Sequence, residues 1–308
     1  MLRLLLLVLL VISVRVSAQL PVADMHLHYK WSQQEVTSPD EALRLLGAAQ
    51  VALGVVIGTP AERALALTQR SNGRLVPIWS PYREGGDWSR WATDKSVVQR
   101  ARAALASGNY YGIGELHLVG GFAPRATPGD VTSQLMRLAG EYGVPVLLHT
   151  EFSRADRMQV LCTAHPRTRI VWAHAGAILP PAAVEAVLAS CENVMAGLAA
   201  RDPWRFVNNP ITDKQGKLLP AWRALLLRYP DRFMVGSDPV WPVDQLDRWD
   251  EADTGWQELG RFWAFHRNWL VDLPHNVAVR IACINAVDTF MPTAGEVCVL
   301  PVTDESLP

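Results

Sequence analysis

The sequence lacks an excess of positive charge. It has 29 lysines and arginines against 30 acidic residues, which gives 308 residues a formal net charge of -1. The basic residues are scattered, whereas proteins that bind nucleic acids or anionic membranes concentrate them on one surface. We therefore expect no nucleic-acid partner, and a small-molecule partner fits the composition better.

The sequence also lacks a hydrophobic run long enough to cross a membrane. The apolar stretch from Leu4 to Val14 ends at Arg15 and falls short of the ~20 residues that a membrane span needs. A basic Arg3 before it and the small residues Ser17 and Ala18 after it are typical of a secretory signal peptide. We expect cleavage after Ala18, a secreted or periplasmic protein, and no stable membrane span after cleavage. The alternative is an uncleaved anchor.

Cysteine is scarce, and its four positions are Cys162, Cys191, Cys283 and Cys298. In an oxidising compartment four cysteines can form two disulfides, with three possible pairings. We favour the local pairs, Cys162 with Cys191 and Cys283 with Cys298. Free thiols buried on helices are an equally good interpretation of the first pair.

Eight short apolar runs alternate along the chain with helical patterns. The runs are almost continuously apolar, as expected for strands of a parallel sheet that is covered on both faces. The predicted strands are residues 22–28, 51–58, 75–79, 111–116, 144–149, 170–174, 194–198 and 233–237. The predicted helices are residues 42–50, 60–70, 94–107, 131–142, 153–165, 182–191, 219–229 and 274–290.

This alternation predicts an α/β fold, a (β/α)8 TIM barrel in a single domain. An open, doubly wound sheet is the alternative. Without an internal repeat, low-complexity tract or linker, we expect a signal peptide at residues 1–18, the barrel at 19–291 and a C-terminal tail at 292–308. The pattern does not indicate an oligomeric state.

Histidines and acidic residues collect where the predicted strands end. The first predicted strand ends in His26 and His28. The other histidines and acidic residues at or just after strand ends are Glu115, His117, His149, His174 and Asp238. In a parallel barrel these ends form one rim, whose loops build the active site. Imidazole and carboxylate groups bind divalent cations such as Zn²⁺, Mn²⁺ and Fe²⁺.

Taken singly, each of these residues has a plainer interpretation. One histidine at a strand end is usually a hydrogen-bonded rim residue, Glu115 is compatible with a buried ion pair, and Asp238 before Pro239 is compatible with a turn. Together, they would crowd several uncompensated polar groups at one barrel mouth if no cation were bound. The combined pattern therefore predicts a metal site.

Further residues are candidates for supporting the site or contacting substrate. Asp24 precedes His26 by two positions, which places both on the same face of a regular strand. Long loops at residues 80–93 and 199–217 carry Arg83 and Arg201, and Trp79 and Trp241 follow strand ends. The Trp-rich region 239–272 is predicted to be irregular, with most of its aromatic residues packing against the barrel.

This ordered set resembles the metal-dependent amidohydrolase superfamily. The resemblance rests on Asp-x-His-x-His at the first strand, Glu115 at the fourth, histidines at the fifth and sixth, and Ser-Asp-Pro after the eighth. The segment 273–290 also resembles the last helix of the amidohydrolase-related branch, which contains hydrolases and decarboxylases.

The resemblance implies a divalent metal cofactor of one or two ions, with zinc expected and manganese or iron as alternatives. It implies a first metal on His26, His28 and Asp238, and a second on His149 and His174, which in one-metal relatives bind and polarise the substrate. Glu115 stands where TatD-type nucleases bridge two metals.

Departures from the related branches limit what can be carried over. The fourth strand has no lysine, which excludes a carboxylated-lysine bridge. Val119 replaces an aspartate of the nuclease branch, so its DNA substrate is not transferred. The catalytic residues implied are Asp238, as ligand and proton carrier, and His174, with His117 as an alternative stabiliser of developing negative charge.

The expected activity is hydrolysis of an amide, ester or lactone bond in a small molecule. One alternative is a metal-dependent decarboxylase (lyase), in which Arg83, Arg201 or Arg205 binds a carboxylate. Others are a phosphoester hydrolase and a barrel that binds ligand without turnover. The loops contain no motif that identifies the substrate. The fold does not identify it either, because one fold can host many different activities.

Overall fold

The structure is a computed structural model of the chain, and it describes residues 20–118, 130–150, 154–205, 209–240, 251–291 and 295–298. The predicted signal peptide and Trp241 lie outside the described residues. Among those described, no helix combines the length and the apolar character needed to cross a membrane.

Eight strands run parallel to their sequence neighbours, in one sheet of three strands and one of five. They are β1 Val22–Tyr29, β2 Val51–Gly58, β3 Leu75–Ile78, β4 Ile113–His117, β5 Val146–His149, β6 Ile170–Trp172, β7 Val194–Gly197 and β8 Phe233–Met234.

Backbone hydrogen bonds join the two sheets at both seams. Next to β3, the Trp79 N–H donates to the Gly112 carbonyl at 2.9 Å. Between β8 and β1, the Met25 N–H donates to the Val235 carbonyl at 3.1 Å, and the Asp238 N–H donates to the His26 carbonyl at 2.8 Å. The fold is therefore the predicted (β/α)8 barrel, and the open-sheet alternative is wrong.

At least one helix follows every strand in the described chain. The helices are α1 Gln33–Val36, α2 Pro39–Ala48, α3 Glu62–Gln69, α4 Asp87–Arg90, α5 Ser96–Ala106, α6 Val131–Tyr142, α7 Ala155–Ala164, α8 Pro181–Ser190, α9 Pro220–Arg228, α10 Leu259–Leu270, α11 His275–Val279 and α12 Asn285–Phe290. A π-helical turn, Arg280–Ile284, joins helices α11 and α12.

Local sequence signals explain where several helices begin and end. The Ser38 hydroxyl accepts the Glu41 N–H ahead of α2, and the Asp130 carboxylate accepts the Ser133 N–H ahead of α6. Gly143 ends α6 with a φ of 68°, a conformation that costs glycine little.

Helix α10 corrects the prediction that residues 239–272 are irregular. Phe262, Trp263, His266 and Trp269 lie on its buried face. This spacing is helical, but the abundance of aromatic residues obscured it. Trp263 and Trp269 pack against the barrel, in agreement with the structural role expected for most tryptophans of this region.

A compact apolar core fills the barrel beneath the rim. From the strands and the turn after β6 it contains Ala23, Met25, Leu53, Val55, Ile57, Val76, Ile78, Leu147, Val171, Ala173 and Met234, and α12 adds Ala286, Val287 and Phe290. Cys283 bonds to Cys298, and Val297 packs on this core, so the disulfide ties the segment 295–298 to the barrel floor.

Both disulfides form with the local pairing that we favoured. Cys162 bonds to Cys191 across 5.9 Å between their Cα atoms, and Cys283 bonds to Cys298 across 5.7 Å. The first bridge links the end of α7 to the residue after α8. The alternative of buried free thiols is therefore wrong.

Two register irregularities lie beside the rim. In β1 the pairing shifts between Asp24 and Leu27, and in β4 it shifts between Ile113 and Leu116. Met25 packs in the inner core, yet His26, one residue later, also reaches the barrel mouth. Regular alternation therefore does not hold across β1, and such a shift redirects side chains next to a site.

His266 of α10 connects this helix to the barrel. Its Nε2 lies 3.0 Å from the Gly236 carbonyl, and its Nδ1 accepts the Trp269 indole N–H at 3.2 Å. Burial lowers the pKa of His266 to about 3. The folded chain therefore requires a neutral imidazole at this position.

This requirement predicts loss of stability in acid. Between about pH 6.5 and 3 the unfolded chain binds a proton that the folded chain excludes, so the free energy of unfolding falls as the pH falls through this window. Lowering the pKa of a fully buried group from 6.5 to about 3 corresponds to about 5 kcal/mol. Urea unfolding at stepped pH should give a flatter profile for His266→Gln than for the wild type.

The control is His275→Gln, at an exposed position on α11. It should keep the wild-type slope between pH 3 and 6.5. An unchanged slope in His266→Gln would contradict the role assigned to His266, whatever that variant's absolute stability.

Candidate metal centre

Glu115 lies at the centre of the rim cluster. Strand β4 carries it, and only 2% of the residue is exposed. Its Oε2 lies 3.2 Å from His26 Nε2 and 3.2 Å from His28 Nε2 on β1, and its Oε1 lies 2.9 Å from His149 Nδ1 on β5. One carboxylate therefore contacts imidazoles from two other strands.

Asp238, which follows β8, closes the cluster from the other side. Its Oδ1 lies 3.5 Å from His28 Nε2, and its Oδ2 lies 3.7 Å from His174 Nε2. The Nε2 atoms of His26 and His28 are 3.0 Å apart. Donors from β1, β4 and β5 and from the turns after β6 and β8 thus converge at one point.

The donor atoms fall into three overlapping groups, and within each group they all lie within 4.8 Å of one another. The groups are His26 with His28 and Asp238; His26 with Glu115 and His174; and Glu115 with His117 and His149. These nitrogen and oxygen donors are those that zinc, manganese and iron take in proteins. The residues therefore fit a divalent cation.

Electrostatics keep the carboxylates of the cluster ionised. Burial by itself raises the pKa of Glu115, but the imidazoles of His26, His117 and His149 outweigh it and hold this pKa well below its usual value. The pKa of Asp238 is also lowered, with burial opposing and the neighbouring histidines prevailing. Both groups are therefore in the form that binds a cation.

Two residues of the cluster have an unusual backbone conformation. His174 has a φ of 56° in the tight turn after β6, and Asp238 has a φ of 45°. A non-glycine residue in this region costs about 1–3 kcal/mol and persists only where its surroundings impose it. For these two residues, arginines of the loop after β7 supply the constraint.

Arg201 and Arg205 hold these backbones by hydrogen bonds. Arg201 donates from Nε to the His174 carbonyl at 2.7 Å, and it is fully buried. Arg205 donates to the Asp238 carbonyl, and to the Ser237 carbonyl at 2.8 Å. The buried carboxylate of Asp202 pairs with Arg205 at 2.5 Å. The loop after β7 thus positions the residues that follow β6 and β8.

Asp24 supports the cluster through the backbone. Its Oδ1 accepts the His26 N–H at 3.1 Å and the Ser237 N–H at 2.9 Å, which ties β1 to the chain after β8. Burial raises the pKa of Asp24 to about 6, against the lowering effect of these hydrogen bonds. Asp24 therefore stabilises the position of His26 without contacting its ring.

His117 is held by two aromatic residues from the loop after β3. Its Nδ1 lies 3.0 Å from the Tyr82 hydroxyl, and its backbone N–H donates to the same oxygen at 3.1 Å. The Trp88 ring lies 3.8 Å from the imidazole, centre to centre. Burial lowers the pKa of His117 well below its usual value, so this imidazole is neutral.

A family model described as amidohydrolase matches residues 23–290. This range covers every residue of the rim cluster. The chain belongs to the amidohydrolase family.

Solved structures share the fold of this amidohydrolase at low sequence identity. The TatD homologue YJJV of Escherichia coli K12 superposes with a TM-score of 0.59 at 18% identity, covering 87% of this chain and 97% of that one. An amidohydrolase of Burkholderia multivorans, solved with bound HEPES, gives 0.52 at 17% identity, covering 88% and 99%.

A third structure, amidohydrolase 2 of Bifidobacterium longum subsp. infantis, gives a TM-score of 0.51 at 14% identity and covers 88% of this chain and 98% of that one. No curated protein is significantly similar to the chain in sequence. At these identities the structural neighbours support the fold alone.

Three substrate candidates of this amidohydrolase have structural partners of their own. Trp79 is 4% exposed and packs beside Arg100, whose guanidinium carbon lies 5.7 Å from its ring. Arg83 pairs with Asp87 at 2.8 Å. The guanidinium of Arg201 points at backbone carbonyls. These contacts give all three side chains structural partners.

A buried ion pair near the mouth was missed by the sequence reasoning. Lys30 Nζ lies 3.0 Å from Asp253 Oδ1, and both residues are buried. Gln33 donates to the Asp253 carbonyl at 2.7 Å and accepts its N–H at 2.9 Å. A signal was available for Lys30, which follows His28 by two positions. For Asp253, 220 residues beyond Gln33, there was none.

Tyr82, Trp88 and the bracing role of Arg205 were also missed. Residues 80–93 were singled out as a long loop that carries Arg83, and the aromatic content of that loop was the available signal. Their partners His117, on β4, and Asp238, after β8, are distant in sequence, so spacing alone does not reveal these contacts.

Arg205 offers a test of the bracing network. Arg205→Leu leaves the carboxylate of Asp202 buried without its partner, so we expect the free energy of unfolding to fall by about 3–5 kcal/mol, measured by urea unfolding. The double variant Arg205→Leu/Asp202→Leu should recover part of this loss, because it removes the unpaired charge.

The matched control is Arg228→Leu, whose pair with Glu185 is exposed; its unfolding curve should match the wild type. Equal effects of Arg205→Leu and Arg228→Leu would contradict the network.

Proposed function

We propose that this amidohydrolase is a metal-dependent hydrolase that cleaves an amide, ester or lactone bond of a small molecule. The observation that carries the proposal is the position of Asp238. Its ionised carboxylate lies between His28 at 3.5 Å and His174 at 3.7 Å, at the rim where the loops of a barrel enzyme bind substrate.

The residues that would hold a first cation are His26, His28 and Asp238. A bound divalent cation would polarise the bond under attack and lower the pKa of its water towards ~7. Zinc is the proposed ion, with manganese and iron as alternatives that the same donors accept.

Asp238 is the proposed proton carrier. One of its oxygens faces the histidines of β1, and the other faces His174, so the carboxylate can bind a cation and still accept a proton from the attacking water. It would then return that proton to the leaving group. Arg205 donates a hydrogen bond to the Asp238 carbonyl, and this contact fixes the backbone that positions the carboxylate.

The contacts of His174 favour a ligand role. Its Nδ1 lies 2.8 Å from the Ala199 carbonyl, which can only accept a hydrogen bond, so Nδ1 carries the proton. In the neutral ring, the Nε2 lone pair then points to the cluster. Such a hydrogen bond on the outer nitrogen is typical of metal-binding histidines.

The decarboxylase alternative receives less support from the described residues. It needs a cationic side chain for the substrate carboxylate, and the arginines considered for this role have other partners. Arg83 binds Asp87, Arg201 binds carbonyls, and Arg205 binds Asp202. We therefore keep hydrolysis as the proposed reaction.

We also propose that the protein is exported to an oxidising compartment. The two disulfides support this, because such bonds persist in secreted and periplasmic proteins and are rare in reducing ones. The apolar leader ending at Ala18 is the proposed signal.

A substrate panel with product analysis tests the reaction. The protein, stripped by a chelator and reloaded with zinc, should hydrolyse members of a panel of amides, esters and lactones, and label from ¹⁸O-water should enter the product. Asp238→Asn should lower kcat/KM by about 10²–10⁴-fold, because it removes the proton carrier. The control is Asp40→Asn, an exposed carboxylate on α2, which should leave kcat/KM unchanged.

Carbon dioxide released without incorporation of label would overturn the hydrolase proposal in favour of the lyase. Turnover that is equal in stripped and reloaded protein would overturn the role of the metal.

A further inference from the structure

Glu115 is shared by two groups of donors, and its Oε2 contacts both. On one side, its Oε2 faces His26 and His28 of β1, which also contact Asp238. On the other side, its Oε1 lies 2.9 Å from His149 Nδ1, and its Oε2 lies 3.3 Å from His117 Nε2. The ring centres of His117 and His149 are 4.5 Å apart.

The second group is compact and comes from neighbouring strands. Glu115 Oε2 and His117 Nε2, both on β4, lie 3.3 Å apart, and His149 pairs directly with His117 in the β4–β5 register. The donor atoms of the three residues all lie within 4.8 Å of one another. One carboxylate oxygen and two imidazole nitrogens are a donor set that fits a divalent cation.

Tyr82 holds His117 in a geometry that suits a ligand. The Tyr82 oxygen accepts the backbone N–H of His117, and its second lone pair can accept Nδ1–H. The lone pair of Nε2 then points toward Glu115. Trp88, 3.8 Å away between ring centres, limits rotation of the imidazole.

His174 belongs to a different donor group, with His26 and Glu115. Its Nε2 is 3.7 Å from Glu115 Oε1 and 3.7 Å from Asp238 Oδ2, and its ring stacks 5.1 Å from that of His26. These contacts place His174 between the shared carboxylate and the first donor group. The resemblance had implied that His174 and His149 together hold a second metal.

The resemblance already implies a second cation that Glu115 shares with the first. We propose that His117 is the ligand that completes this second site with Glu115 and His149, and that Tyr82 is a positioning residue for His117. The inference rests on the proposed function only in taking the rim as a metal centre. It departs from the implied arrangement by replacing His174 with His117 in the second site.

Metal content is the first measurement. Holoprotein loaded with zinc and desalted should contain about two ions per chain in the wild type, about one in His117→Gln, and about two in the control His275→Gln. Circular dichroism checks that each variant is folded. Loss of an imidazole that binds the cation should abolish the second site, whereas a purely structural histidine should leave the zinc content unchanged.

Tyr82→Phe tests the positioning role while it keeps every ligand. It should retain both sites but bind the second zinc about 10–100-fold more weakly in a competitive chelator titration, the usual effect of losing a hydrogen bond to a metal ligand. An unchanged second affinity would overturn the role of Tyr82.

Cobalt provides a readout that does not depend on turnover. Two cobalt ions bridged by Glu115 should be magnetically coupled in the wild type, and the electron paramagnetic resonance signal of His117→Gln should be that of an isolated ion. Retention of two coupled ions in His117→Gln, with loss of one in His174→Gln, would overturn the proposal and restore the implied arrangement.

The remaining outcomes separate this inference from the proposed function. One zinc in the wild type overturns the second site but leaves a one-metal hydrolase standing. No zinc overturns both. In the last outcome, the wild type binds two zinc ions and His117→Gln binds one, while no panel member is hydrolysed. That outcome supports the second site and counts against the hydrolase.

Discussion

The carboxylate of Glu115 is the group on which the site depends. Five imidazoles lie within 4 Å of it, on side chains from β1, β4 and β5 and the turn after β6. A carboxylate that is 2% exposed is costly to bury as an ion unless its surroundings compensate it. Here the compensation comes from the histidines, which in turn are oriented toward one another by their shared partner.

Around this centre, the loop after β7 acts as a brace. Its described residues contribute no donor of the cluster, yet Arg201 and Arg205 fix the backbones of His174 and Asp238 in conformations that are unfavourable for non-glycine residues. Their guanidinium groups also lie over Trp222 and Phe262, at 4.8 and 4.1 Å from the ring centres. Buried polar contacts outside the cluster thus offset the cost of these backbone conformations.

Much of the fold was predictable, because buried parallel strands leave continuous apolar runs and the polar residues at their ends share one rim. The sequence also drew attention to every residue of the donor cluster. It did not predict helix α10, whose aromatic residues hid the helical spacing, or the roles of Arg201 and Arg205. An arginine side chain is long enough to reach either a substrate or backbone carbonyls. Only the tertiary contacts show which of the two it binds. The tight turn at His174 likewise depends on a neighbouring loop.

The brace has a consequence for how this barrel can change. Loops after strands are the parts that such folds alter when they acquire new substrates. In this chain the loop after β7 is not independent, because Arg201 and Arg205 hold residues on either side of it. Transplanting that loop from a relative without both arginines would therefore disturb the candidate metal centre itself, and a change of loop would have to carry both arginines with it.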